Sequence, residues 1–222
     1  MKNLFTIVSI LLTSQLGTSQ IIDKYGINMG ASYSNQLWDY KMITINNTNK
    51  DFKIGFTAFL TAEKRINKIF SIRPEIGYIQ KGFKNNYDLV FPSGNAGVDK
   101  KNVIFHNLAA DLGLKITPFD LKFVPYFLVG LRGDYMFSYK DIVAVEQGSG
   151  FKFNMYKSQI DEFKKFNLGG LIGLGYEFNE TVYMEIEYNP SFTSSFNDTG
   201  LQIKDNCWDI KLGFNLNRLH TK

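Results

Sequence analysis

Apolar and polar residues alternate with period two along most of the chain, which is the pattern of strands whose two faces meet different surroundings. In the first such segment Tyr25, Ile27, Met29, Ala31 and Tyr33 share one face, and Gly26, Asn28, Gly30, Ser32, Ser34 and Gln36 share the other. The second sets Phe52, Ile54, Phe56, Ala58 and Leu60 against Lys53, Gly55, Thr57, Thr61 and Glu63. The third sets Phe70, Ile72, Ile76 and Tyr78 against Ser71, Arg73, Glu75 and Gly77, and the fourth Leu108, Leu112, Leu114 and Ile116 against Asn107, Asp111, Gly113 and Lys115. Four more follow near 126–135, 167–178, 182–189 and 208–217, giving eight segments in all. An even number of segments of about 10 to 14 residues suits a bacterial membrane barrel.

The joints sharpen this reading. Lys64 to Lys68, Pro118 to Lys122 and Asn179-Glu180 are short, whereas Asp39 to Asp51, Lys84 to Asn102, Ser138 to Lys165 and Thr193 to Asn206 are long and polar. Short and long alternate throughout. That predicts an all-β fold, a closed up-and-down antiparallel transmembrane β-barrel of about eight strands, with short periplasmic turns and long extracellular loops. A soluble lipocalin-like barrel would carry the same alternation with the apolar face turned inward. Three features favour the inverted arrangement. Glycines concentrate on the polar face, where a narrow barrel is crowded. The apolar face runs the length of the strands without charges. Aromatics recur at the segment ends: Trp38, Tyr40, Phe105, Phe137, Tyr139, Phe166 and Trp208 at one, Tyr25, Phe70, Phe123, Phe178 and Tyr183 at the other, as two interfacial girdles would require. Closure in lipid further predicts that the first and last strands pair.

The chain opens with Met1-Lys2-Asn3, a largely apolar stretch from Leu4 to Leu12, and Gly17-Thr18-Ser19-Gln20. This layout predicts a secretory signal peptide over residues 1–19, leaving a barrel domain over 20–222 that is exported to the outer membrane. The apolar stretch is about half of what a spanning helix needs. Composition changes little else. Of 222 residues, 25 are Lys or Arg and 21 Asp or Glu, giving a net charge of +4 without clustering, so a nucleic-acid partner is not expected. The single cysteine, Cys207 at the edge of the last segment, excludes an internal disulfide and any multi-cysteine metal site, and reads as a free, buried thiol.

The inward face carries Lys53, Arg73, Lys81, Lys115, Arg132 and Lys211 with Glu63, Glu75, Asp111, Asp134, Glu177, Glu185, Glu187 and Asp209. Charges away from water need partners. Arg73, Glu75, Asp111, Arg132, Glu185, Glu187 and Lys211 fall at mid-strand and are expected to form one paired network that plugs the lumen, in preference to a proton or ion path. The near balance of signs argues against an ion-selective pore. Catalysis is not expected, nor a cofactor or metal. The chain has two histidines, of which His106 points outward near the outer rim and His220 lies in the tail, and no spacing compels a triad of His106 with Ser93 or Asp99. Asn46 and Asn197 begin Asn-X-Thr triplets that matter only in a glycosylating host. The longest outer loop contains Phe151-Lys152-Phe153-Asn154-Met155-Tyr156, which reads either as a partner contact or as a flap folded over the mouth.

Three stretches carry a family resemblance: Phe70-Ser71-Ile72-Arg73-Pro74-Glu75-Ile76-Gly77-Tyr78 through Gln80-Lys81-Gly82; Pro125-Tyr126-Phe127-Leu128-Val129-Gly130; and Gly173 to Phe178 leading into Tyr183 to Asn189. With them the chain, over about residues 21 to 219, resembles the PorT-like outer-membrane β-barrel family of Bacteroidota. The resemblance implies a membrane barrel and, for some members, an accessory role in a protein-secretion and gliding apparatus; it implies no catalytic or ligand residue. The chain departs from many such barrels in ending past its last strand with Arg218-Leu219-His220-Thr221-Lys222. Pro74, on the outward face of a closed sheet, predicts a bulge at that position. The expected molecule is therefore a monomeric, non-enzymatic barrel in contact with membrane lipid, acting structurally or by surface binding. A protein partner is expected at the outer loops or the periplasmic side; a secretion accessory and a narrow solute pore are the alternatives.

Overall fold

The structure is a computed structural model, and it describes residues 22–41, 48–85, 90–91, 94–95, 97–98, 102–119, 123–145 and 150–216. Eight long antiparallel strands build it: β1 (Lys24–Tyr40), β2 (Lys53–Arg65), β3 (Phe70–Lys84), β4 (Asn102–Ile116), β5 (Val124–Lys140), β6 (Phe166–Glu177), β7 (Val182–Pro190) and β8 (Leu201–Asn215). Each pairs with its neighbour in sequence, and β1 pairs with β8 from Gly26 opposite Asn215 to Tyr40 opposite Leu201. The sheet is thus a closed cylinder with no free edge, as the lipid environment demands.

The alternation sorts as expected for a barrel with its greasy face outside. Ile54, Leu60, Leu112, Leu131, Ile172, Leu174 and Ile210 are exposed, while Asn28, Arg73, Glu75, Asp111, Arg132, Glu185, Glu187, Asp209 and Lys211 are buried. Short turns are fixed locally. Asn67 Oδ1 accepts from the backbone N–H of Ile69 and Phe70 at 2.8 and 2.9 Å, and Asn179 Oδ1 from those of Thr181 and Val182 at 2.8 and 2.7 Å. An Asx turn of this kind reverses the chain with few residues.

Three inward aromatics each lie over a glycine on the paired strand: Tyr126 opposite Gly175, Tyr183 opposite Gly213 and Phe59 opposite Gly77. A Cβ on Gly175 or Gly213 would enter the tyrosine ring, and one on Gly77 would sit 2.6 Å from Phe59 Cγ. Small residues on the polar face therefore make room for specific rings. Gly175→Ala should cost about 1–3 kcal/mol by overpacking, and denaturant unfolding in lipid checks it; the exposed-face change Leu174→Ile is the control.

The structure corrects several expectations. Pro74 causes no bulge: it stays in register with Leu112, and toward β2 the ladder merely lapses between Thr61–Glu75 and Lys64–Ile72. Proline lacks the N–H that would complete the ladder there, and dropping a bond is less disruptive than inserting a residue. The bulge lies instead on β5 at Phe137, between the pairs Asn107–Met136 and His106–Ser138. Trp38, Phe105 and Tyr183 leave the girdles and point inward, all buried. Tyr40 and Tyr139, half-buried, pack against a cluster at the mouth. Phe137, Phe166 and Trp208 remain exposed at the outer end, and Tyr25, Phe70, Phe123 and Phe178 at the other. Strands also run further outward than the alternation alone implies. Beginning at Leu201, β8 takes in much of the expected last loop and places Cys207 well inside the strand, free and buried against Phe59, Ile79 and Ala109. The expected signal peptide and the tail with His220 lie outside the described residues.

Candidate functional site: the lumen and its outer mouth

Strands of opposite direction bring the seven mid-strand charges to one level. Arg132 on β5 is 1% exposed. Its Nε donates to Asp111 Oδ1 at 2.7 Å and its second guanidinium nitrogen to Asp111 Oδ2 at 2.5 Å; it reaches Asp209 Oδ2 at 2.7 Å and Glu187 Oε2 at 3.3 Å. Lys211 on β8 bridges Glu187 Oε1 at 2.6 Å and Glu75 Oε2 at 3.1 Å. Arg73 on β3 meets Glu75 Oε1 at 2.8 Å and grips Glu185 with two nitrogens, one of them at 3.0 Å. The chain of contacts is continuous from Asp111 through Arg132, Glu187, Lys211 and Glu75 to Arg73 and Glu185.

Asp209 and two phenols complete it. The Tyr126 hydroxyl donates to Glu185 Oε1 at 2.6 Å, and Arg73 donates to the Tyr183 hydroxyl at 3.0 Å. Asn189 donates to Asp209 Oδ2 at 2.9 Å. The Phe59 ring packs beneath both cations, 5.2 Å from Arg132 Cζ and 4.9 Å from Lys211 Nζ. The alternation already puts Tyr126 on the polar face with Arg132, while Phe59 and Tyr183 share the parity of Thr57 and Glu185 yet were not read as inward. Carboxylate oxygens of Glu75, Glu185 and Glu187 lie within 4.8 Å of one another, a spacing that suits a metal ion. Here Lys211 binds two of the three and Arg73 two, so side-chain cations already serve that place.

Further ion pairs sit on either side of this level. Toward the periplasm Lys115 meets Glu63 at 2.9 Å and also Glu177, which Lys24 approaches at 3.5 Å. Toward the outside Lys81 meets Asp134 at 2.5 Å. Lys53 donates to the Ile54 carbonyl at 3.0 Å. Above Lys81 and Asp134 a small cavity is floored by Gln36, Asn107, Asp134 and Asp205 and roofed by Phe105, Met136 and Phe163.

The roof belongs to a second apolar core. Trp38, Phe83, Val103, Phe105, Met136 and Ile203, pointing inward from the outer strand ends, pack with Ile142, Ile160 and Phe163 from the longest loop. The described parts of that loop are held by contacts within it and with neighbouring segments. Val143–Val145 pairs with Lys152–Asn154 and with Gly97–Val98. Asp141 accepts from the N–H of Ile142 and Tyr156 at 2.6 and 2.9 Å, and Lys164 N–H donates to Ser195 O at 2.8 Å. A short helix, α1 (Lys157–Asp161), carries Ile160 into the cluster. The flap reading of this loop is therefore what the geometry shows for its two ends, while Phe151 at its tip is 63% exposed.

His106 faces outward at the bulge, its Nδ1 2.5 Å from the Tyr78 hydroxyl and its ring beside that of Phe137. Ser93 and Asp99 lie outside the described residues. Closed strands, an apolar exterior and an ion-paired interior define a small barrel that spans a membrane. The chain belongs to the outer membrane protein beta-barrel domain family, whose pattern matches residues 15–197, and it is a protein of the outer membrane. No curated protein matches the sequence. Among solved structures, the attachment invasion locus protein Ail of Yersinia pestis is 11% identical with a TM-score of 0.44, covering 87% of this chain and 98% of its own. OprG of Pseudomonas aeruginosa is 14% identical, TM-score 0.43, covering 87% and 95%; outer membrane protein W of E. coli is 12% identical, TM-score 0.36, covering 89% and 100%.

Proposed function

We propose that the protein is a non-enzymatic, non-conducting barrel that serves as a rigid outer-membrane support for its outer loops, through which it contacts a protein partner. The observation that carries this reading is the filled lumen. Three cations and five carboxylates interlock at mid-barrel, and the apolar cluster closes the outer mouth above them. A continuous water path would have to displace both, and breaking buried pairs is costly. The contact would be made by Phe151 and Lys152, which the flap holds outward while Ile142 and Ile160 anchor it. The protein is expected to show no discrete conductance steps in a planar bilayer; reproducible steps that change on Arg132→Ala would instead establish a narrow pore.

The resemblance to PorT-like proteins supports a second reading, an accessory of protein secretion. Crosslinking in intact cells separates the two: adducts from the periplasmic turn at Lys64 favour the accessory role, and adducts from Lys152 favour the outer contact.

A further inference from the structure

Three aromatic rings meet nearly at right angles at the outer mouth. Trp38 at the end of β1 crosses Phe83 of β3 at 76° with centroids 6.0 Å apart, and Tyr156 of the long loop at 72° and 5.8 Å. Phe83 and Tyr156 cross at 87° and 5.2 Å. The Lys50 ammonium stands among them, 4.7 Å from the Trp38 centroid, 5.4 Å from that of Tyr156 and 5.9 Å from that of Phe83. Lys50 is 8% exposed, and burial lowers its amine from the ordinary lysine value.

Ring faces carry negative potential, and several of them around one point form the arrangement that recognises alkylated ammonium groups. A primary ammonium such as that of lysine is strongly hydrated. An alkylated one has fewer N–H groups to desolvate and more apolar surface to place against the rings, and it gives up the long 3.4 Å hydrogen bond that Lys50 Nζ donates to the Tyr156 hydroxyl. One wall is independently fixed, since Trp38 Nε1 donates to Gln36 Oε1 at 3.2 Å. The backbone of Lys50 is also anchored, its N–H donating to Gln36 O at 2.9 Å, so withdrawal moves the side chain and breaks its contacts, among them the Tyr156 hydrogen bond, without moving the chain. Tyr156 is half-buried, whereas Trp38 and Phe83 are buried, so Tyr156 is the wall that meets the medium.

We propose that Trp38, Phe83 and Tyr156 form a binding site for small molecules bearing an alkylated ammonium group, and that Lys50 fills it as an internal stand-in until such a ligand displaces it. This goes beyond the outer contact at Phe151 and Lys152 and holds or fails separately from it.

Trp208 lies on the lipid face, so a Trp208→Phe background leaves Trp38 as the reporter. In the full-length protein in lipid, Trp38 emission is titrated with tetramethylammonium chloride against sodium chloride of equal ionic strength. Lys50→Ala should respond saturably, with a midpoint at least tenfold lower than the parent carrying Lys50. Lys50→Met, which refills the box with an uncharged chain, should return the response to the parent's. A folded Lys50→Ala that treats tetramethylammonium like sodium overturns the proposal, as does a Lys50→Met that binds as tightly as Lys50→Ala. A second measurement needs no substitution. Saturating tetramethylammonium should raise the rate at which an amine-acylating reagent modifies Lys50 at least fivefold relative to exposed Lys157, read by mass spectrometry; an unchanged ratio overturns the site.

Discussion

Arg132→Ala is expected to destabilise the barrel by about 3–5 kcal/mol, because it strips the shared cation from three buried carboxylates at once. Asp111, Glu187 and Asp209 all lie within 3.3 Å of its guanidinium and are themselves almost fully buried. Losing one partner of a buried pair leaves the other charge uncompensated, which costs more than the pair contributed. Urea unfolding in lipid vesicles, followed by heat-dependent gel mobility, measures the loss. Two comparisons make the outcome specific. Removing Asp111 together with Arg132 should recover part of the loss, since one orphaned carboxylate disappears. Lys24→Ala, which breaks a looser pair with Glu177 at the periplasmic rim, should cost less than about 1 kcal/mol. Equal effects for Arg132 and Lys24 would show that the central network contributes nothing special.

Leu112→Arg should cost about 2–4 kcal/mol for the opposite reason, the placing of a charge in hydrocarbon. Leu112 is 58% exposed, flanked by Pro74 and Leu131 on the adjacent strands, and level with the ion network inside. Its neighbour in sequence, Asp111, faces Arg132. One step along the strand therefore separates a position that requires charge from one that excludes it. The same vesicle assay measures the effect, and it should shrink at Phe70→Arg, where the side chain reaches the interface. A cost at Leu112 no larger than at Phe70 would argue against hydrocarbon around this face.

Which face points where was legible because a membrane barrel writes its two environments into alternate positions. Arg73, Glu75 and Lys211 were recognisable as lumen residues from parity alone, and so was Leu112 as a lipid-facing one. The outer third was less legible. There the strands pass beyond the membrane, and inward residues stop being polar because they pack against a loop. Trp38 and Phe105 keep the inward parity of Gln36 and Asn107, yet their aromatic character suggested a girdle. Position in the period and side-chain type gave conflicting advice, and the period was right. The loop's share of that core, Ile142, Ile160 and Phe163, has no period to reveal it. Nor does any local pattern mark Phe137 as the bulge.

The distribution of charge among the strands has a consequence for how the barrel assembles. The β2–β3 hairpin brings Arg73 with Glu75, and β4–β5 brings Asp111 with Arg132, so each enters with its own counter-charge. The β6–β7 hairpin brings Glu185 and Glu187 with no cation at that level; its partners are Arg73, Arg132 and Lys211 from β3, β5 and β8. That hairpin cannot settle into the bilayer ahead of them without stranding two carboxylates in oil. Its insertion is thereby tied to β3 and β5, which hold Glu185 and Glu187 through Arg73 and Arg132, and a chain truncated before Lys211 would leave Glu187 with Arg132 alone and β1 without the strand that closes the cylinder.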